Sequence, residues 1–200
     1  MHLLAAAASP FVRKCRVLLI ETGQDDVEVV DVHTTPMASS EQVTAANPVG
    51  KIPVLVRDGE RPLFDSRVIC RFLDDRAGAG LYPSDGLWDV LMLEALAHAV
   101  SEAGVGMIYE MRFRAEKGLV WDEWLEKQWG KVEGALDAVE AEMMPLLEGP
   151  VTMGQVALGC ALGYLDFRHG DRDWRAGRTA LAAWEADFGA RPSMQQTRPA

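Results

Sequence analysis

The chain is expected to fold as an α/β domain of order βαβαββα followed by an all-helical domain. Three observations predict this. Short valine-rich segments alternate with helix-like apolar stripes over the first 78 residues. Gly78, Gly80, Pro83 and Gly86 then interrupt both periodicities. Beyond them, apolar residues recur only at helical spacing. The expected units are residues 1–78 and 87–200, joined by a short linker.

Residues 3–7 are apolar but rich in alanine, which favours helix over strand, so this first strand goes against propensity. Residues 11–21 carry a helical stripe at Phe11, Cys15, Leu18 and Leu19, ended by Gly23. Residues 27–32 read as a strand, and Ser39, Ser40 and Glu41 open a short helix. Residues 52–56 and 62–64 are strands flanking the Asp58-Gly59 turn, an antiparallel hairpin signal. Residues 66–75 form a helix with Val68, Ile69, Phe72 and Leu73 inward. In the second half, helices are expected over 87–114, 121–148, 152–168 and 179–188. Thr152 with Gln155 has the pattern of a capping box.

Acidic residues outnumber basic ones 30 to 20, for a formal charge of −10. Through Gly78 there are 9 basic and 11 acidic residues, and after it 11 and 19, so the domains carry −2 and −8. This excludes a general electrostatic attraction to nucleic acid or anionic lipid, and an anionic small ligand would need a local trap. No uninterrupted apolar run approaches the roughly 20 residues of a membrane span. The apolar start is not preceded by Lys or Arg, as a signal peptide would be, and an intracellular protein is expected. Cys15, Cys70 and Cys160 are odd in number and far apart, which supports neither a disulfide framework nor a metal site.

Four features of the first domain carry chemistry. Ser9 precedes Pro10 at the start of a helix; it is a good N-cap, and equally a hydroxyl at a positive helix end that can hold an anion or thiolate. Pro53 opens a strand. A cis bond there would turn the Ile52 backbone outward to pair with an amide-containing ligand, whereas the plainer alternative is a tight turn. Ser66 can cap the next helix or meet a carboxylate, with Asp65 beside it to accept from an ammonium. Lys51 is a cation for a second carboxylate or a solvated surface residue. Together these outline a groove for a small dianionic peptide carrying a thiol.

Ser9-Pro10-Phe11-Val12-Arg13-Lys14, Asn47-Pro48-Val49-Gly50-Lys51-Ile52-Pro53-Val54-Leu55 and Phe64-Asp65-Ser66, in this order, resemble the glutathione S-transferase superfamily of cytosolic, serine type. The resemblance extends over nearly the entire chain. It implies a thioredoxin-like first domain with Pro53 cis, glutathione as co-substrate, no metal, and a cytoplasmic homodimer active in detoxification. It also implies residue roles. Ser9 would donate to the glutathione sulfur, with Phe11 nearby. Ile52 would pair with the cysteinyl part, Asp65 and Ser66 would hold the γ-glutamyl end, and Lys51, with His33 second, would hold the glycyl carboxylate.

The chain departs from the family at Gln155, where an aspartate usually completes the capping box, so a weaker cap is expected. Redox members carry cysteine at the Ser9 position, and its absence argues against thiol–disulfide chemistry there. Cys15 is expected in the core, and His98 and His169 as core or surface residues. A pocket for the electrophile is expected between the domains, with Met107, Tyr109, Met111 and Phe113 as candidate wall residues, although such residues at helical spacing also suit a core. Two functions of different class follow. One is an enzyme conjugating glutathione to small electrophiles. The other is a non-catalytic protein of the same fold that binds glutathione or a partner protein.

Overall fold

Strand β1 (His2–Ala5) forms despite its alanines because it lies between two valine-containing strands. It runs parallel to β2 (Glu28–Asp31) and antiparallel to β5 (Val54–Val56), giving the sheet order β2-β1-β5. The computed structural model that shows this describes residues 1–199, so Ala200, the end of the expected second domain, lies outside them. The crossover between β1 and β2 is helix α1 (Pro10–Glu21). A two-residue hairpin of β3 (Thr34–Thr35) and β4 (Ala38–Ser39), which the sequence reading lacks, precedes α2 (Glu41–Ala46). The expected strand at 62–64 shrinks to a single bridge between Leu55 and Leu63.

Leu4 and Val54 share a sheet face with Val32, and Val43 of α2 packs on it. Leu3 and Leu55, on the other face by alternation, are equally buried. Helices α1 and α3 (Ser66–Ala77) pack against each other. Within α3, Ile69, Cys70 and Leu73 are inward, but Val68 is 48% exposed, contrary to expectation. Gly78 ends α3 in the left-handed conformation. The linker beyond is tied down: Asp74 accepts from the backbone N–H groups of Leu81 (2.8 Å) and Tyr82 (3.3 Å).

The chain divides into two units, Met1–Asp85 with the segment from Pro192, and Gly86–Arg191. The helical unit therefore ends before the expected residue 200. Helix α8 (Pro192–Gln196) belongs to the first unit and packs on α1. Buried Arg13 donates to the carbonyl of Met194 (3.0 Å), and Ser193 donates to Glu21.

The second unit is built on α4 (Leu87–Arg114), α5 (Asp122–Ala138), α6 (Met153–Arg168) and α7 (Thr179–Gly189). Leu93, Ala97 and Val100 of α4 meet Val132 of α5 and Leu158 and Leu162 of α6 in one core. Among the described residues, the stretch 87–117 is long and apolar enough by mean hydropathy to meet the length and composition of a membrane span, although no uninterrupted apolar run in it does. Half of its most apolar window is buried within the fold. The expected helix over 121–148 is interrupted. Helix α5 stops at Ala138, a π turn follows over Val139–Met143, and a 3-10 turn over Met144–Leu147. Pro145 explains the break, since it has no N–H to donate and its ring crowds the carbonyl one turn back.

Only half of the capping box forms. Thr152 caps α6 by accepting from the Gln155 N–H (3.4 Å). The Gln155 side chain does not return to Thr152. Its amide lies within 3.3–3.4 Å of the carbonyls of Leu146, Glu148 and Pro150. The reason is chemical: an NH2 can donate to carbonyls that a carboxylate would repel.

Candidate functional site

The sheet register gathers the candidate residues. Leu4 pairs with Val54 and Leu55 with Leu63. Continued by one or two residues, these registers bring Ala5, Pro53 and Asp65 to the same end of the sheet. The segment to Ser9 leaves from there, and α3 begins there. His33 follows β2 at that end, since the Val32 N–H donates to the Ala5 carbonyl (2.8 Å).

Ser9 is the N-cap of α1, and Pro10 is its first helical residue. The Ser9 Oγ accepts from the Val12 N–H at 3.3 Å. Among the described residues its own O–H donates to no group, so one proton remains available beside the positive end of the helix. Phe11, on the first turn, is half-buried.

The loop from Asn47 to Pro53 is strongly constrained. The Ile52–Pro53 peptide is cis, as the family resemblance implies. Pro53 is buried and Ile52 half-buried, and no described residue bonds to the backbone N–H or C=O of Ile52. Gly50 has φ +68°, and a Cβ there would stand 3.1 Å from the Ser39 Oγ, so both conformation and space favour glycine. Lys51 and His33 are exposed. Lys51 forms no ion pair among the described residues.

At α3 the structure reverses the expected division of labour. Asp65, not Ser66, is the N-cap: its carboxylate accepts from the Arg67 N–H at 3.0 Å and pairs with the Arg67 guanidinium at 2.9 Å. The Phe64–Asp65 peptide is also cis. Ser66 is the first helical residue, and its buried Oγ has no hydrogen-bond partner among the described residues. A buried hydroxyl without a partner costs roughly 1–3 kcal/mol, so this atom calls for an additional polar group.

Cys15 is fully buried, as expected, with its Sγ 3.7 Å from that of Cys70. Among the described residues no cluster of three His, Cys, Asp or Glu is placed to hold a metal ion. In the helical unit, Met107 is 1% exposed and packs in the core cluster. Tyr109 and Met111 are each 38% exposed, and Phe113 is half-buried. His169 is buried and bonded to the Gly104 carbonyl at 3.0 Å, and burial holds its pKa below the ordinary value. His98 lies 3.6 Å from Glu102. Sequence reasoning missed Arg67 as the partner of Asp65 and the role of the Asn47 side chain within its own motif. The dipeptide Asp65-Ser66 followed by Arg67 held the first signal.

The glutathione S-transferase N-terminal domain family matches residues 8–76, and its C-terminal domain counterpart matches residues 122–187. The chain belongs to the glutathione S-transferase family. It is 30% identical to the uncharacterized GST-like protein YibF of Escherichia coli K12, over 100% of this chain and 98% of that one. Among solved glutathione transferases, one from Pseudomonas fluorescens Pf-5 with bound glutathione superposes with a TM-score of 0.95. It is 42% identical and covers 100% of this chain and 98% of its own. Another, from Methylobacillus flagellatus KT with glutathione bound, gives a TM-score of 0.87 at 35% identity, covering 100% and 99%. The fold is thus the transferase one, a thioredoxin-like unit followed by a helical unit.

Proposed function

We propose that this protein is a glutathione transferase that ionises the glutathione thiol and directs it at a small electrophile. The observation that carries the reading is Ser9: its Oγ is occupied as an acceptor from Val12, so its proton is left to donate to sulfur. A free thiol has a pKa of about 8.5. Lowering it by about two units takes roughly 2.7 kcal/mol. One hydrogen bond to the charged sulfur contributes roughly 1.5–3 kcal/mol, and the α1 dipole adds up to about 1 kcal/mol. These suffice without a general base. The thiol's proton passes to solvent and the thiolate forms the new C–S bond. The displaced electron pair goes to the departing halide, to the oxygen of an opened epoxide, or to the enolate of an unsaturated carbonyl, the last two then taking a proton from solvent.

The unbonded backbone of Ile52 supports pairing with the cysteinyl part of glutathione. The partnerless Ser66 Oγ and the Asp65 carboxylate suit the γ-glutamyl end, Ser66 donating to its carboxylate and Asp65 accepting from its ammonium. Arg67 shares that carboxylate and tempers its charge. Lys51, with His33 second, would meet the glycyl carboxylate. Met107 and Met111, with Tyr109 and Phe113, are the candidates for contact with the electrophile; of these Met111 and Tyr109 are exposed. Glutathione bound in the Pseudomonas and Methylobacillus relatives supports the same ligand here. Family membership supports a cytoplasmic homodimer engaged in detoxification, and the charge of −10 speaks against nucleic-acid or anionic-membrane partners.

Retention on immobilised glutathione, followed by thiol consumption with a panel of halogenated aromatic, epoxide and unsaturated carbonyl electrophiles, tests the reading. Retention with turnover is expected. Retention without turnover on any member would instead make the protein a glutathione-binding member of the family, and no retention would overturn the ligand itself.

A further inference from the structure

The geometry points to Asn47 as a positioning residue for glutathione binding, an inference that rests on the reading just proposed. Asn47 is 3% exposed, and it bonds to the end of α2 and to the loop that follows through both backbone and side chain. Its N–H donates to the Val43 carbonyl (2.8 Å), and its carbonyl accepts from the Gly50 N–H (2.9 Å). Its Oδ1 accepts from the Val49 N–H (3.0 Å), and its Nδ2 donates to the Lys51 carbonyl (2.8 Å). The first three bonds close a turn after α2. The fourth does something a turn does not require.

The Lys51 carbonyl and the Ile52 N–H belong to one peptide plane. That peptide is trans, so its C=O and N–H point in opposite directions. Holding the Lys51 oxygen on the buried Asn47 amide therefore aims the Ile52 N–H away from the loop interior. A second side chain does the same one residue earlier. The Ser39 Oγ donates to the Gly50 carbonyl at 2.6 Å and lies 3.0 Å from the Thr34 Oγ1. Two successive carbonyls are thus each held by a side chain, which fixes the peptide planes that carry the Lys51 and Ile52 N–H groups. The Ile52 N–H is the group proposed to pair with the ligand, and no described residue bonds to it. The Asn47 amide thus sets the direction of a ligand contact it does not touch.

The test compares glutathione affinity by calorimetry in the wild-type protein, Asn47→Ala and Asn47→Asp from about pH 4.5 to pH 8. Melting temperature and the pKa of the bound thiol are measured alongside. Asn47→Ala is expected to weaken binding about tenfold, the value of one hydrogen bond, while the bound thiol's pKa stays unchanged because Ser9 is intact. Asn47→Asp keeps the acceptor for Val49 but turns a carboxylate oxygen toward the Lys51 carbonyl, so it should bind at least as poorly at pH 8. Relative to wild type it should recover as its carboxyl takes up a proton and can donate again. Asn47→Ala should show no such recovery.

Affinities within twofold of wild type in folded variants, with only the melting temperature lowered, would reduce Asn47 to a structural role. If Asn47→Ala does not fold, Asn47→Asp decides: an affinity that recovers toward wild type on acidification is expected, and one that stays at the wild-type value across the range overturns the clamp. A wild-type protein that binds no glutathione would sink the proposed function, and this inference with it, and is told apart by the wild-type measurement alone.

Discussion

Ser9 is the N-cap of α1, and the role proposed for it in thiol chemistry would use the same oxygen. As N-cap it satisfies the Val12 N–H, and its proton is left for a ligand. Ser9→Ala should therefore separate two effects by size. Loss of the cap costs about 1 kcal/mol of stability. Loss of the donor should raise the pKa of bound glutathione by about 1–2 units, since a hydrogen bond to a charged sulfur contributes roughly 1.5–3 kcal/mol. Ultraviolet titration of the bound thiolate reads the second effect and thermal melting the first; an unchanged thiol pKa would refute the role given to Ser9. At this scale the sequence was legible wherever a residue's role follows from its backbone position. Ser9 before Pro10 and Ile52 before Pro53 are such cases. It was less legible where neighbouring polar residues compete for one role. Asp65 and Ser66 are both good N-caps, and only the fold shows that Asp65 takes the cap while the Ser66 hydroxyl is left without a partner. For Met107 a helical apolar stripe does not distinguish a core from a pocket wall, and the fold shows only that it packs in the core cluster.

Among the elements, the helices with uninterrupted periodicity were read best, α4 ending at the expected residues. Elements set by loop chemistry were read worst. Pro145 lay inside the apolar pattern that suggested one long helix, and Gln155 matched a capping box while its amide serves the preceding loop. Packing between α4 and α6 yields a prediction of opposite signs for one substitution. A Cβ on Gly154 of α6 would stand 3.0 Å from the Leu93 Cδ2 and 3.1 Å from the Val90 carbonyl oxygen. The Val90 oxygen is backbone and cannot rotate away. Overpacking of about 1–3 kcal/mol then outweighs the propensity gain of about 1 kcal/mol from glycine to alanine. Gly154→Ala should lower stability by about 1 kcal/mol. Gly134, within α5, has no atom within 4 Å of its ideal Cβ. Gly134→Ala should therefore raise stability by roughly 0.5–1 kcal/mol. Urea titration of both variants checks the contrast, and equal shifts of one sign would refute it.

For the whole molecule, the division into a nearly neutral first domain and an acidic second one was legible from charge counts and the glycine-rich break. The return of the chain to the first unit was not. Arg13 and Met194 are 181 residues apart, and no local pattern announces such a pair. The same limit applies to His169, whose partner Gly104 lies 65 residues away. That pair gives stability a pH dependence above the carboxylate range. Burial is the largest influence on His169 and lowers its pKa; the Gly104 carbonyl opposes the shift only in part. The unfolded chain then takes up a proton near the ordinary pH of about 6.5, while the folded protein does not until lower pH. Between those two values the unfolded state binds more protons, so unfolding becomes easier as pH falls. Above about pH 7 this contribution is constant. Asp26 and Glu126, held below the usual carboxylate range by Arg76 and Arg172, weaken the fold in the same direction, but only in the lower carboxylate range. The expected outcome is a loss of stability that begins near pH 6.5, before the carboxylates titrate. His169→Gln can still donate to the Gly104 carbonyl but cannot titrate. It should remove the part of the loss that begins at about pH 6.5 and leave the acid limb intact. Chemical denaturation around and below that pH, wild type against variant, reads the difference, and superimposable profiles would exclude His169 as its source.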